Sequence, residues 1–581
     1  MKRLLSALAA AALATGTPAA AQPTFDYFSA HAGQSTAPSQ LSQQDHAYYS
    51  AVFAAIDRQD WSGAQALLAQ RDDGLLHPVA VARLYLAANS PRVELPQIEA
   101  WMTRGRNLPQ APQLARLGMS RGATRMPDLP AARSFHSMGS VPKRTRPRSV
   151  NDGTMPPQIA SAIQERISND DPDGARLLLD GIDASLSAEA RAEWRQKVAW
   201  SYYIENRDPE ALAHAATVAQ GSGAWVAEGD WAMGLAAWRL GDCAQSSAAF
   251  ERAVHGANNP ELRAAAQYWA GRAALRCRQP ERSNAFFRSA ASADETLYGM
   301  LAAEQLGIAI PPRVAGAEFT PADWRRLSGI ENVRIAVALA EIGRDDLSSE
   351  VLLHQARIGD PDDYDALSRL ARELGLPSTQ LYMAHNAPSG GAPHPASHYP
   401  APKWMPLTGW RVDPALAYAH ALQESNFRTS AVSPAQAQGL MQITPITVRE
   451  HAPRLGLNAG QVDIFDPRVN LAFGQRNLEM LRDSPATGGT LPKIMAAYNA
   501  GLSPVTRWNH EVNDQGDPLL WMESIPYWET RSYVAIVMRN YWMYERQAQA
   551  SSASRVALAQ NAWPMFPGAG DGRVYLSASR D

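Results

Sequence analysis

Apolar residues recur at helical spacing along most of the chain, and stretches that alternate strictly between apolar and polar side chains are rare. From about residue 40 to residue 310 the sequence is rich in Ala, Leu, Trp, Arg and Gln, and its apolar spacing predicts a succession of packed helices. The pattern therefore predicts a protein that is all α or mainly α.

Two neighbouring units of this region resemble each other. Residues 234–239 are echoed 37 residues later by residues 271–276, and Phe250 is echoed at the same distance by Phe287. Small residues let two helices approach closely, and the large aromatic residue fills the space beside them. We predict an α-superhelical scaffold, a solenoid of open or ring shape, over residues 22–310.

Residues 131–157 interrupt this array without any periodicity and carry a basic cluster, Lys143, Arg144, Arg146 and Arg148. Such a composition is typical of a solvated segment, so we predict a mobile insertion. The alternative is an electrostatic contact between the basic cluster and anionic wall polymers or a membrane surface.

A second helical block begins near Thr320, which suits a helix N-cap because a proline follows it. We predict a helical linker domain over residues 311–400, which ends in a Pro- and Gly-rich linker between residues 386 and 402. The motifs that suggest chemistry gather in residues 401–548. The Ser-, Ala- and Gly-rich residues 549–581 are predicted to form a flexible tail.

The first residues have the parts of a signal peptide. Lys2 and Arg3 precede an apolar stretch over residues 4–13, and small residues then lead to a cleavage point after Ala21. The apolar stretch is shorter than the roughly 20 residues that span a bilayer. We therefore predict that residues 1–21 are removed, which leaves an exported, soluble periplasmic protein without an integral membrane segment.

Charge and cysteine content narrow the function classes. The 581 residues carry a formal net charge of −3, which gives no reason to expect nucleic acid as a partner. Cys243 and Cys277 are too few for a structural zinc site or a disulfide-dense scaffold, so no metal site is predicted. In an exported protein they can form one disulfide or remain two buried thiols, and the sequence leaves both open.

One acidic residue near the end of a predicted helix is the first candidate for chemistry. Asp413 and Pro414 suit the start of this helix, which ends near Asn426 and places Glu424 in its last turn. The helix dipole and burial beside apolar neighbours both oppose a negative charge there, and both raise the carboxyl pKa. A general acid near neutral pH needs such a pKa. The alternative is an ordinary surface Glu.

The segments that follow contain groups suited to a sugar ligand. Ser433 leads to residues 439–442, Gly-Leu-Met-Gln, where the backbone can approach closely and an amide can hold hydroxyl groups. Tyr498 lies on a later helix, and we expect its hydroxyl to reach Glu424 or the substrate, unless it is a half-buried core residue. Glu523 is the candidate for a further sugar contact.

Four motifs in order resemble those of the soluble lytic murein transglycosylases, whose catalytic domain is lysozyme-like. They are Gln-Glu-Ser at 423–425, Gly-Leu-Met-Gln at 439–442, Ala-Tyr-Asn-Ala-Gly at 497–501 and Glu-Ser-Ile-Pro-Tyr-x-Glu-Thr-Arg-x-Tyr-Val at 523–534. The order of signal peptide, superhelical region, linker domain and final catalytic domain is similar as well. One departure is Thr444, where relatives often carry Met.

The resemblance implies a lysozyme-like α+β catalytic domain, dominated by helices, over residues 401–548, with Glu424 as its single catalytic acid and base. It also implies a glycan groove lined by residues of these motifs: Ser433, Met441, Gln442, Tyr498, Asn499 and Glu523. The family cleaves the β-1,4 bond after N-acetylmuramic acid and closes a 1,6-anhydro ring, with no metal or other cofactor. Ordinary glycosidases use two carboxylates, whereas here a hydroxyl of the substrate is the nucleophile.

The partners implied by the resemblance are peptidoglycan glycan strands and cell-wall synthesis or remodelling proteins, and we expect a monomer. Two other functions compete with this one. A goose-type lysozyme-like muramidase would hydrolyse the same bond, and a non-catalytic scaffold would only bind murein. Glu424 among its intact flanking motifs argues against the scaffold.

Overall fold

The computed structural model describes residues 23–30, 36–71, 73–311 and 318–567. Nearly all regular structure in these ranges is helical, which confirms the prediction of a mainly α protein. The predicted signal peptide lies outside the described residues. Within the described ranges no helix combines the length and the apolar character that crossing a membrane requires.

The helices before the catalytic region form three consecutive groups. The N-terminal group contains α1 (Pro23–Ala30), α2 (Gln43–Asp57), α3 (Trp61–Leu68), α4 (His77–Leu86), α5 (Leu95–Gly105) and α6 (Ala111–Ser120). The array contains α7 (Pro157–Ser168), α8 (Pro172–Asp180), α9 (Ala188–Ile204), α10 (Asp208–Ala216), α11 (Trp225–Arg239), α12 (Cys243–Gly256), α13 (Pro260–Arg276), α14 (Pro280–Ala291) and α15 (Leu297–Gln305). The linker block contains α16 (Pro321–Leu327), α17 (Glu331–Glu341), α18 (Asp345–Ile358), α19 (Tyr364–Glu373) and α20 (Pro377–His385).

The C-terminal group carries the candidate motifs. It contains α21 (Pro414–Ser425), α22 (Pro445–His451), α23 (Pro467–Arg482), α24 (Leu491–Ala500), α25 (Leu502–Glu511), α26 (Pro518–Glu523), α27 (Trp528–Gln547) and α28 (Ala553–Ala559). Short 3-10 helices cover Asp183–Ser185, Val218–Gln220, Pro361–Asp363, Pro395–His398 and Ala452–Leu455. Strands β1 (Phe135–Ser137) and β2 (Asn386–Pro388) pair antiparallel, with Phe135 opposite Pro388.

The two repeat units predicted from the sequence pack as helix pairs, with the glycine of each unit against its own phenylalanine. Gly234 on α11 faces Phe250 on α12, and a Cβ at position 234 would lie 2.5 Å from that ring. Gly271 on α13 faces Phe287 on α14 in the same way, at 2.9 Å. Each helix from α11 to α14 packs on the next, so the predicted superhelical array is confirmed.

A disulfide joins these two repeat units. Cys243 at the start of α12 and Cys277 just after α13 are bonded, with Cα atoms 5.5 Å apart. Of the two alternatives that the sequence left open, the structure has the disulfide.

The buried apolar residues form two large clusters that do not follow the predicted domain boundary near residue 310. One cluster joins helices α2–α6 to helices α16–α20 and includes Trp101 and Tyr364. The other joins α7–α15 to α21–α28 and includes Trp231 and Trp542. Helices α2–α6 therefore share a core with the linker block, and the array shares one with the catalytic region.

The prediction that residues 131–157 form a mobile insertion is wrong. Strand β1 belongs to this segment, and the indole Nε1 of Trp225 donates a 3.0 Å hydrogen bond to the carbonyl of Arg148. Arg144 forms a 2.6 Å ion pair with Glu228, whose side chain is almost fully buried. The segment is fixed because its polar groups find partners on the array.

The predicted linker between residues 386 and 402 is also packed. Its start forms β2, and the carbonyl groups of Pro400 and Pro402 accept 2.7 Å hydrogen bonds from the hydroxyls of Tyr544 and Tyr418, respectively. These bonds anchor it to α27 and α21.

The prediction of a flexible tail over residues 549–581 is wrong for residues 549–567. These residues include α28, which packs on α15, and Trp542 donates a 2.8 Å hydrogen bond from its indole to Ser554. Residues 568–581 lie outside the described residues.

Helix α27 is buried along most of its length because it packs on α21 and α24 and on α15 of the array. Polar contacts beside its start join the array to the catalytic region. Tyr203 and Ser524 share a 2.8 Å hydrogen bond between hydroxyls, and Arg272 forms a 2.6 Å ion pair with Asp517. The array thus fixes the position of α27, whose Tyr533 forms a hydrogen bond with Glu424, the candidate acid on α21.

We expect Gly234→Val to destabilise the array, because the new side chain would overlap the ring of Phe250. Overpacking of this kind costs about 1–3 kcal/mol. The melting temperature, followed by circular dichroism, should fall by several degrees. Gly329→Val is the matched control, since the space around Gly329 is open. Equal falls for both variants would contradict the close packing at Gly234.

Candidate active site

Helix α21 carries the candidate acid to its end. The carboxylate of Asp413 caps the start of this helix by accepting a 2.9 Å hydrogen bond from the amide of Ala415, as the sequence predicted. The helix stops before Asn426, whose φ of 51° is left-handed and tolerated by asparagine. Glu424 therefore lies in the last turn, where the helix dipole disfavours a negative charge.

Glu424 is half-buried, and its Oε1 accepts a 2.6 Å hydrogen bond from the hydroxyl of Tyr533. Burial raises the pKa of Glu424 from 4.5 to about 7, the Tyr533 hydrogen bond opposes this rise, and the charge of Glu529 adds to it. No basic side chain among the described residues forms an ion pair with Glu424. A carboxyl group with this pKa can both donate and accept a proton near neutral pH.

His420 extends this contact into a buried row of hydrogen bonds. Its Nδ1 lies 2.8 Å from the hydroxyl oxygen of Tyr533, and burial lowers the pKa of His420 to about 3. When Glu424 is ionised, Tyr533 donates its single proton to that carboxylate, so Nδ1 of the neutral His420 must donate to Tyr533. The row orients Tyr533 without placing a positive charge beside Glu424.

Tyr498 forms no hydrogen bond with Glu424, and its predicted contact with the substrate stays a prediction. Its hydroxyl instead donates a 2.8 Å hydrogen bond to the carbonyl of Met441, and its ring packs on His420 with centroids 4.6 Å apart. Tyr498 therefore joins α24 to the loop that follows α21.

Tyr533 is the residue that sequence reasoning missed. It lies within the fourth motif, and both it and Val537, one helical turn further on, are buried. The sequence alone does not show which helix the hydroxyl of Tyr533 meets.

The loop over residues 439–442 is tight because an asparagine of α23 fills the space beneath it. Gly439 has a φ of 74°, and a Cβ there would lie 2.2 Å from Nδ2 of Asn470, so only glycine fits. Asn470 accepts a 2.8 Å hydrogen bond from the amide of Met441 and donates one of 3.0 Å to the carbonyl of Gln438. Sequence reasoning did not find this anchor.

The place of Met441 in the glycan groove stays a prediction, and the structure turns its side chain into the core. This side chain is fully buried and packs on Gly474, where a Cβ would lie 2.0 Å from its sulfur. Met441 contributes its backbone instead, through the contacts with Asn470 and Tyr498.

Three other predicted groove residues, Ser433, Gln442 and Asn499, keep partly exposed side chains. Gln442 donates a 2.8 Å hydrogen bond from its amide to the carbonyl of Gly439. The hydroxyl of Thr530 at the start of α27 donates one of 2.7 Å to Asn499. The side chains are thus oriented, while each retains hydrogen-bonding groups for a ligand.

Glu523 is buried, and its Oε1 accepts a 2.6 Å hydrogen bond from the hydroxyl of Tyr298 on α15. The carboxylate thus contacts the array. Its predicted role in sugar binding stays a prediction.

Other acidic groups of the region have structural or solvated positions. Asp466 caps α23 through a 2.8 Å hydrogen bond from the amide of Arg468, and Glu529 is exposed in the first turn of α27. Across the described ranges, no group of three or more His, Cys, Asp and Glu side chains is arranged to hold a metal ion.

Comparison with protein families matches residues 405–520 to the transglycosylase SLT domain. A Haemophilus influenzae protein with the provisional name soluble lytic murein transglycosylase is 30% identical over 267 residues, which are 44% of this chain and 43% of that protein. The soluble lytic murein transglycosylase of Escherichia coli is 33% identical over 135 residues, 22% of this chain and 20% of that one. The sequence matches thus span less than half of these relatives.

Two solved structures share the fold over nearly the whole chain. The 70 kDa soluble lytic transglycosylase of Escherichia coli aligns with a TM-score of 0.53 and 15% identity, covering 90% of this chain and 99% of that one. An inactive mutant of the lytic transglycosylase Slt from Pseudomonas aeruginosa aligns with a TM-score of 0.51 and 19% identity, covering 88% of each chain.

Tyr533→Phe should raise the pKa of Glu424 further, because the lost hydrogen bond stabilises the carboxylate. We expect a rise of roughly one pKa unit, followed by carbon-13 NMR titration of labelled glutamate carboxyl groups. Tyr527→Phe is the control, since Tyr527 is exposed and its hydroxyl contacts Arg507. An unchanged pKa in Tyr533→Phe would mean that this hydrogen bond does not control Glu424.

Glu424→Gln should stabilise the fold above neutral pH. The folded pKa of about 7 exceeds the ordinary 4.5, so the folded state binds the extra proton and the contribution of Glu424 to stability falls as pH rises between these values. Glutamine keeps the shape without the charge. The gain in unfolding free energy over wild type should therefore be larger near pH 8 than near pH 4, and amount to at most about 3 kcal/mol. It is measured as a rise in melting temperature at each pH. Equal gains at both would show that Glu424 is not desolvated.

Proposed function

We propose that this chain, whose residues 405–520 match the transglycosylase SLT domain, is a soluble lytic murein transglycosylase, and that it cleaves the β-1,4 bond between N-acetylmuramic acid and N-acetylglucosamine in peptidoglycan. The cleaved strand ends in 1,6-anhydro-N-acetylmuramic acid. The observation that carries this proposal is the single half-buried carboxyl group of Glu424, with a pKa of about 7 and a hydrogen bond from a neutral tyrosine.

The reaction uses this group twice. Protonated Glu424 donates its proton to the glycosidic oxygen, which leaves with the bonding electrons, and the N-acetyl oxygen of the muramic acid stabilises the positive anomeric carbon. The Glu424 carboxylate then removes the proton from the 6-hydroxyl of the same sugar, whose oxygen attacks the anomeric carbon. The ring closes, and Glu424 is protonated again. Tyr533 stabilises the carboxylate that exists between the two steps.

The glycan groove of the proposal uses the partly exposed polar side chains of the motifs. Ser433, Gln442 and Asn499 supply hydroxyl and amide groups for sugar hydroxyl and N-acetyl groups. Tyr498 acts on the groove through the backbone of the 439–442 loop. Glu523 is kept as a candidate ligand of a more distant sugar.

The cellular setting follows from the same proposal. Export by the N-terminal signal places the protein in the periplasm, where murein is accessible, and the array offers a surface for wall-synthesis or remodelling proteins. We further propose that the protein acts as a monomer; this is compatible with a site in which Glu424 and Tyr533 belong to one chain.

Glu424→Gln should reduce murein cleavage by at least about a hundredfold, because the amide cannot donate the proton. Product release from purified murein, followed by mass spectrometry, measures this loss. Glu450→Gln is the control, since Glu450 is exposed on α22. Retention of more than about a tenth of the wild-type rate would remove Glu424 from the mechanism.

The products of the wild-type protein separate transglycosylation from hydrolysis. An anhydro end is lighter by one water than the reducing end that a muramidase leaves. If the products carry reducing ends instead, the protein is a goose-type lysozyme-like hydrolase on the same fold, and the proposal of transglycosylation is wrong.

A further inference from the structure

A basic cleft lies where the segment that follows β1 meets the array and the start of α27. Its cavity volume is about 200 Å³. The cationic and aromatic residues that form its walls include Arg144, Arg146, Lys197, Trp200, Trp528 and Arg531. The cleft thus draws on three parts of the chain that are far apart in sequence.

The cleft carries more positive than negative charge. Two of its cations are paired with buried carboxylates, Arg144 with Glu228 and Lys197 with Glu193, each at 2.6 Å. Among the described residues, no carboxylate lies within ion-pair distance of the other two cations, Arg146 and Arg531.

The guanidinium of Arg531 forms hydrogen bonds only with backbone carbonyl oxygens. It donates a 3.1 Å hydrogen bond to the carbonyl of Ile525, and burial lowers the pKa of Arg531 to about 10. The charges of Glu523 and Glu228 stabilise the guanidinium without a direct ion pair. An anion that enters the cleft would supply that direct contact in a partly desolvated place, where such contacts are strong.

Tryptophan rings hold the two unpaired guanidinium groups. Arg531 lies 4.2 Å from the ring centre of Trp200 and 4.9 Å from that of Trp528. Arg146 lies 5.8 Å from the same Trp528 ring and 5.5 Å from that of Trp225. Both guanidinium groups thus make cation–π contacts with one ring, and the N–H groups of Arg146, together with those of Arg531 that do not bind Ile525, can bind a planar carboxylate.

This cleft is separate from the pocket of Glu424. Arg531 and Tyr533 are two residues apart on α27, which rotates their side chains by about 200° around the helix axis. Tyr533 points to Glu424, whereas Arg531 contacts Trp200 of the array. The two sites therefore lie on opposite faces of one helix.

We infer that the cleft binds a carboxylate group of a stem peptide carried by the murein strand whose glycan occupies the Glu424 site. This inference rests on the proposed function for the identity of its ligand. A stem peptide carries several carboxylates on a short, partly apolar chain, which suits two guanidinium groups set among tryptophan rings. Binding on the far face of α27 holds the strand while the glycan is cut.

Arg146→Glu tests the cleft directly, because Arg146 is exposed and takes no part in the hydrogen bonds that fix its segment. The probe is the free murein tripeptide L-alanyl-γ-D-glutamyl-meso-diaminopimelate, titrated into the full-length protein by calorimetry. We expect wild type to bind the tripeptide and Arg146→Glu to bind it at least about tenfold more weakly, the effect of losing one charge-assisted hydrogen bond.

Arg148→Glu is the matched control, since Arg148 lies in the same basic cluster, is exposed and does not form the wall of the cleft. It should bind the tripeptide like wild type. The inference would be overturned if the wild-type protein did not bind the tripeptide. It would also be overturned if both variants bound the tripeptide equally weakly, because the loss would then reflect only a general effect of charge.

A second measurement links the cleft to cleavage. Rates are compared on peptide-bearing glycan strands and on the same strands after an amidase has removed the peptides. Wild type should prefer the peptide-bearing strands, and Arg146→Glu should lose this preference without loss of rate on bare strands. A preference retained by Arg146→Glu would overturn the inference. A wild type that cleaves neither strand but binds the tripeptide would refute the proposed function alone.

Discussion

A carboxyl group held out of water with no positive partner is the constraint on which the rest of the site depends. Ionisation of Glu424 is disfavoured by burial and by its place in the last turn of α21. A nearby lysine or arginine would remove this effect, because it would return the pKa toward its ordinary range. The hydrogen-bonding groups that lead to Glu424 are accordingly neutral: a tyrosine hydroxyl and a histidine whose own pKa is held near 3.

Such a site needs rigid support, because a small movement of α27 would admit water or break the short contact between Tyr533 and Glu424. The array supplies this support. It packs against α27 through α15, and its hydroxyl and guanidinium groups reach the residues just before that helix. The superhelical region is thus part of the same core as the catalytic motifs. The environment of Glu424 therefore depends on the packing of the whole array against α27.

The helical class, the repeat with its glycine–phenylalanine pairs, the helix caps and the position of Glu424 could all be predicted from the sequence, because each depends on residues close together in the chain. Contacts between distant helices could not. Tyr498 and Tyr533 both lie on inward faces, and only the rotation of α24 and α27 decides which hydroxyl meets Glu424. Polar composition likewise suggested mobility for residues 131–157, because the buried partner of Arg144 belongs to another helix.

The first described helix has a consequence for the order of folding. Phe28 on α1 is buried against the rings of Tyr418 and Tyr544, with centroids 5.4 Å and 6.3 Å away. A helix that is synthesised early therefore completes a core whose other members are synthesised much later. Closing so long a loop costs chain entropy and belongs to the slow steps of folding. The core beside the helix of Glu424 is consequently completed only when α1, α21 and α27 are all present, so a chain still being synthesised lacks this packing until α27 has emerged.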